Sequence, residues 1–145
     1  MSPNALNLLL AALGLVLLTT VVGARMLYCR VREMRGKRLH PQTAATTVTM
    51  AGRLEDVQAT DNFRNLFETP VLFYALVACA IGVSHVPPWL VIGAWCYLGL
   101  RIAHSLIHCT YNRVMHRLAA FALSFALIVV LWIAYVLALA NKGSL

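Results

Sequence analysis

Asp61, Asn65 and Glu68 are spaced four and then three residues apart, and Arg101, His104 and His108 three and then four. Each set therefore shares one face of a helix. Both sets fall in otherwise apolar runs, where a charged side chain meeting lipid costs about 2.5–3.5 kcal/mol on insertion scales. Residues of these types are expected to face protein or water instead. Several chemistries are open to them. Arg64, three after Asp61 and four before Glu68, can pair with either, and Glu68 can pair with Arg101, as a structural ion pair that fixes helix register. His104 and His108 form an HxxxH pair able to ligate a metal, although the glutamate of HExxH is absent. Glu68, His104 and His108 together could also carry a proton. Arg117, at the head of the last apolar run, could be an interfacial anchor whose guanidinium snorkels to the headgroups.

The elements that must position these residues are legible from composition. The chain has 145 residues, of which 61% are hydrophobic and 12% charged, the balance of a membrane protein rather than a soluble one. Apolar runs extend over Ala5–Ala24, Leu66–Val83, Trp89–Ile107 and Leu118–Ala140. A hydrocarbon core about 30 Å thick needs about 20 helical residues. The reading is one domain over 1–145, with spans at about 5–28, 64–84, 89–109 and 116–140 and a basic loop at about 29–53. Met1–Asn4 carries no Lys or Arg, so the first span is expected to be an anchor rather than a cleaved secretory signal.

The net charge of +7 suggests nucleic acid until its placement is considered. Arg25, Arg30, Arg32, Arg35, Lys37, Arg38 and Arg53 sit between the first two spans, and Arg113 and Arg117 between the last two. Ser84–Pro88 has no Lys or Arg. By the positive-inside rule the basic loops are cytoplasmic and both termini lie on the other side, with anionic headgroups as neighbours. For a bacterial chain that membrane would be the inner one. Cys29, Cys79, Cys96 and Cys109 show no paired spacing, hence no disulfide framework or zinc motif.

Gly36 and Pro41 should break a basic extension of the first helix, and a helical pattern resumes from about Met50 through Leu54 and Val57. Pro87-Pro88-Trp89 suits the first turn and interface of the third span. Pro70 leaves the Leu66 carbonyl without its helical partner and should kink the second. Counted from Ser84 and Trp89, Glu68 and His104 lie about 24 and 22 Å deep, Asn65 and His108 about 28 Å, and Arg101 about 18 Å. A kinked second helix facing a polar third helix is the expected wall of a buried site, in an all-α integral membrane four-helix bundle.

Asn65-x-x-Glu68-x-Pro70 resembles the second-helix motif of the MAPEG family, the membrane-associated proteins in eicosanoid and glutathione metabolism. Arg101-x-x-His104, position 108 and Arg117 sixteen residues after Arg101 resemble the spacing in its microsomal glutathione transferases. The resemblance covers nearly the whole chain. It implies homotrimers of four-helix subunits with glutathione, as co-substrate, bound between subunits near the cytoplasmic face and no metal. It implies a transferase or peroxidase acting on lipophilic electrophiles or lipid hydroperoxides. Arg117 would be the catalytic residue that stabilises the thiolate. The glutathione contacts would be Arg25, Arg64, Asn65, Glu68, Arg101, His104, His108 and Tyr111. Two positions depart from the family pattern: Asp61 stands where active members generally carry arginine, and His108 where many carry tyrosine. The alternative reading is a non-catalytic MAPEG-fold protein whose buried charges are structural.

Overall fold

The computed structural model of the protein describes residues 1–40 and 58–143. The helical pattern expected over Met50–Val57, and Arg53 within it, lies outside the described residues. Helix α1 covers Pro3–Gly36, α2 Gln58–Glu68, α3 Pro70–Gly82, α4 Pro88–Cys109 and α5 Val114–Gly143. Helices α2 and α3 form one 25-residue apolar segment interrupted at Thr69, so four segments are long and apolar enough to cross a bilayer. This is an all-α, multi-pass membrane bundle.

Local chemistry sets the ends of these helices. The Ser2 hydroxyl caps α1 by accepting from the Ala5 amide at 3.2 Å, and Pro3 follows in the first turn. The 34 residues of α1 reach about 51 Å, far more than the roughly 30 Å of hydrocarbon. Its last turns, with Arg30, Arg32 and Arg35, therefore project from the bilayer. The chain turns away through Arg38, whose φ is 51°. Proline also opens α3 and α4, at Pro70 and Pro88, where its missing N–H costs nothing.

A continuous core of Leu8, Leu15, Leu66, Phe73, Leu76, Leu90 and Ile128 joins all the helices. Phe73 and Tyr97 stack within it, ring centres 4.9 Å apart. Leu17, Val21, Ile92, Val130 and Leu137 point outward, as a lipid-solvated bundle requires. Two glycines let helices approach closely. A Cβ on Gly14 would lie 2.6 Å from the Leu98 side chain, and one on Gly93 would collide with Leu131. At one end of the bundle Asn4 donates to the Val86 carbonyl at 3.1 Å and Tyr135 to the His85 carbonyl at 3.0 Å. At the other, basic end, Arg25 donates to the Cys109 carbonyl at 2.7 Å. The helices are thus pinned antiparallel at both ends.

Candidate functional site

Arg101 is 0% exposed, and it clamps the break between α2 and α3. It donates to the Thr69 hydroxyl at 3.1 Å and to the Asn65 carbonyl at 2.9 Å. The sequence had pointed to Leu66 as the carbonyl freed by Pro70; the guanidinium instead takes the one before it. Nor does Arg101 pair with a carboxylate. Lys37 pairs with Glu33 at 2.8 Å, whereas the Glu68 pairing with Arg64 or Arg101 that the spacing allows is not formed within 4.0 Å among the described residues. One side-chain and one backbone acceptor take its place, because the helix break presents them where a long side chain can reach. That reach also explains why a residue counted as shallower than Glu68 meets its neighbours.

One turn nearer the basic end lies a polar contact that sequence reasoning missed. Asn62 is fully buried; its carbonyl accepts from Ser105 and its amide donates to the Cys109 sulfur, both at 3.3 Å. Ala59, Asn62 and Leu66 on α2 and Thr69 at the break form one buried face, a three- and four-residue stripe that could have signalled Asn62 and Thr69. The charged residues beside them drew the attention instead.

His104 and His108 face α5 rather than α2. His104 donates from Nδ1 to the Arg117 carbonyl at 3.2 Å, and Arg117 donates from Nη1 to His108 Nε2 at 3.3 Å. The same Nη1 donates to the side-chain oxygen Oδ1 of Asn112 at 3.1 Å. Asn112, the second missed residue, sits in the α4–α5 turn at φ 45°, a conformation asparagine tolerates better than most. Arg117 is thus held by one residue of the turn and one of α4, and its backbone holds another. Tyr111 is 57% exposed and shares a 3.3 Å hydrogen bond with His116, away from this cluster.

The face carrying Asp61, Arg64 and Glu68 turns outward; all three are exposed and Asn65 is half-buried. The expected wall, α2 polar face against α4 polar face, is therefore not formed within one chain. Of the predicted residues on α4, Arg101 reaches across, and it meets the hinge rather than the carboxylates. The predicted residues fall into three places: Arg101 at the hinge; His104, His108 and Arg117 at the α4–α5 junction, with Arg25 of α1 bonded to the nearby end of α4; and Arg64, Glu68 and the half-buried Asn65 on the outward face of α2. Between α1 and the second span a mostly apolar cleft of about 350 Å³ is lined by Thr19, Thr20, Phe67, Val71 and Tyr74. That is enough for a small lipophilic molecule. Among the described residues no three His, Cys, Asp or Glu side chains gather as a metal ion would need.

A polar hinge in the second span, an Arg–His face on the third and an arginine heading the fourth are the features on which the family resemblance was drawn. The MAPEG family model matches residues 8–137, from the first helix to the last. The chain belongs to the MAPEG family. Neither the curated proteins nor the solved structures include a match to this MAPEG chain. Family membership accounts for the four-span membrane architecture. The chemistry at the hinge and at the α4–α5 junction is argued from this chain's own residues.

Proposed function

We propose that this MAPEG protein is a glutathione-dependent membrane transferase or peroxidase, closest in type to the microsomal glutathione transferases and acting on lipophilic electrophiles or lipid hydroperoxides. The observation that carries the reading is the outward face of α2. Glu68 stands near the middle of a 25-residue span and is exposed on the single chain. Lipid is a poor neighbour for that carboxylate, and Asp61, Arg64 and Asn65 extend the face toward the basic end. A second copy of the chain would cover it, and a homotrimer with the tripeptide between copies makes use of it. Asn65, Glu68 and Arg64 would hold the polar ends of glutathione, with Arg25 toward a carboxylate and Arg101, His104, His108 and Tyr111 framing the site. The apolar cleft between α1 and the second span would admit the acceptor from the bilayer. The basic loops, and with them the glutathione entrance, would face the cytoplasm, leaving both termini on the opposite side.

Arg117 supplies the chemistry in this reading. A free thiol titrates near pH 8.5 and only its thiolate is a good nucleophile. A guanidinium in contact lowers that by one or more units, each worth about 1.4 kcal/mol. Its intrachain bonds to Asn112 and His108 preorganise the group, so less ordering is needed when the anion forms.

The test is ligand-dependent melting of the purified protein with glutathione and with an S-alkyl analogue. Stabilisation by both, reduced in Glu68→Gln, is expected; no shift with either ligand in a folded, assembled protein refutes it. A second reading is a non-catalytic MAPEG protein in which these charges only lock the bundle or the assembly. It is favoured by the bonds that Arg25, Arg101 and Arg117 already make within the chain. It predicts that Glu68→Gln alters assembly or thermal stability while glutathione shifts neither protein.

A further inference from the structure

Three ring and guanidinium nitrogens on one face of α4 meet no hydrogen-bond partner among the described residues, although all are buried: Arg101 Nε, His104 Nε2 and His108 Nδ1. The residues themselves are 0%, 1% and 1% exposed. Buried polar groups in native proteins nearly always have a partner, in the chain or in ordered water. The roles of these nitrogens can be deduced from what holds the rest of each ring. A guanidinium only donates, so the Arg117 contact at His108 Nε2 requires a bare lone pair there, and the His108 proton sits on Nδ1. A carbonyl only accepts, so the contact from His104 Nδ1 to the Arg117 carbonyl puts a proton on that Nδ1. With two arginines as neighbours, a second proton on His104 would add an unpaired buried charge, and Nε2 is left bare. Arg117 therefore writes the same tautomer into both rings, once through its side chain and once through its backbone.

The free nitrogens that result are complementary. His108 presents an N–H and His104 an acceptor. The ring centres are 5.7 Å apart at an interplanar angle of 65°, a spacing that one oxygen bonded at about 2.9 Å to a nitrogen of each ring can span. One donor and one acceptor supply two of the two to four bonds a buried water makes. A divalent metal suits the pair badly, because His108 Nδ1 would have to lose its proton while Arg117 occupies the other nitrogen.

We propose that His104 and His108 are both held in the Nδ1–H tautomer by Arg117 and enclose a buried water, the three together forming a support that aims the Arg117 guanidinium. His108 is then a positioning residue, since it presents the lone pair that orients Arg117. The water fixes the His108 ring from its other side. That this aiming serves a thiolate rests on the function proposed above; the tautomers and the water do not.

The experiment is nitrogen-15 and carbon-13 NMR of histidine-labelled, full-length protein in lipid bilayers without glutathione. Both rings should give the pattern of a protonated Nδ1 and a bare Nε2, with a transfer peak from water to the His108 Nδ1 proton. In Arg117→Met the His108 ring should move toward the Nε2–H form, while His104, held by the backbone of residue 117, keeps its tautomer. The proposal is overturned if either ring is Nε2–H in the wild type. It also fails if an ordered His108 shows no contact with water, or if its tautomer is unchanged in Arg117→Met. Should that variant not fold, the wild-type spectra alone decide. No thiol is present, so failure here is distinct from failure to bind glutathione.

Discussion

Replacing Arg101 by methionine tests whether the break in the second span is clamped or merely tolerated. The side chain is fully buried and makes two bonds, to the Asn65 carbonyl and the Thr69 hydroxyl. Removing it strands both acceptors, at about 1–3 kcal/mol each when buried. Against that, methionine relieves the desolvation of a cation that touches no carboxylate, which is worth several kcal/mol by itself. Bonds inside membrane proteins also tend toward the weak end, averaging about 0.6 kcal/mol in one well-studied bundle. The net expectation is a loss of about 2 kcal/mol. Thr69→Val, which removes one acceptor and keeps the shape, should cost about 1 kcal/mol. Because the two residues share a bond, the double variant should lose less than the sum by at least 0.5 kcal/mol, the usual scale of coupling between contacting groups. Titration of the purified protein with denaturing detergent, followed by helical circular dichroism, reads all three. Arg101→Met as stable as the wild type, with additive effects, would show that Pro70 alone shapes the hinge.

Other expectations follow from packing and end contacts. Gly93→Leu should destabilise the α4–α5 contact by about 1–3 kcal/mol, the range for overpacking, since even a Cβ collides with Leu131; the same titration measures it. Asn62→Leu should cost about 1–2 kcal/mol through the stranded Ser105 hydroxyl, and alkylation of Cys109 by a lipid-soluble maleimide should quicken once its amide partner is gone. Arg25→Met should cost no more than about 1 kcal/mol, the scale of a cation at a helix C-terminus, and mass spectrometry of amide exchange should place the loosening at the end of α4.

What the sequence made legible were features set by composition and period. Ala5–Ala24 and Leu118–Ala140 are apolar over lengths that only a membrane accommodates, and they lie within α1 and α5. Pro70 marked the break in the second span because its missing N–H acts locally. The partners of that break were harder to read. Counting residues places Cα atoms, whereas Arg101 reaches a further turn along the bundle with its side chain. Glu68 and Arg101 looked like an ion pair because opposite charges at similar depth are the simplest pairing. Which face of α2 turns inward depends on Leu66 and Phe73 packing into the core, and that packing takes Asn62 and Thr69 inside and leaves Glu68 outside. Asn112 went unnoticed for a different reason: its contribution to Arg117 comes from a turn conformation, not from any periodic pattern.

The central claim is that this MAPEG protein holds a glutathione thiolate against Arg117, and ultraviolet difference spectroscopy tests it most directly. Glutathione added to the purified, assembled protein at neutral pH should produce the absorbance of a thiolate in the wild type and none in Arg117→Met, with an S-alkyl analogue abolishing the signal by competition. A folded wild-type assembly that gives no thiolate band at saturating glutathione, or an Arg117→Met protein that gives the same band, contradicts the account.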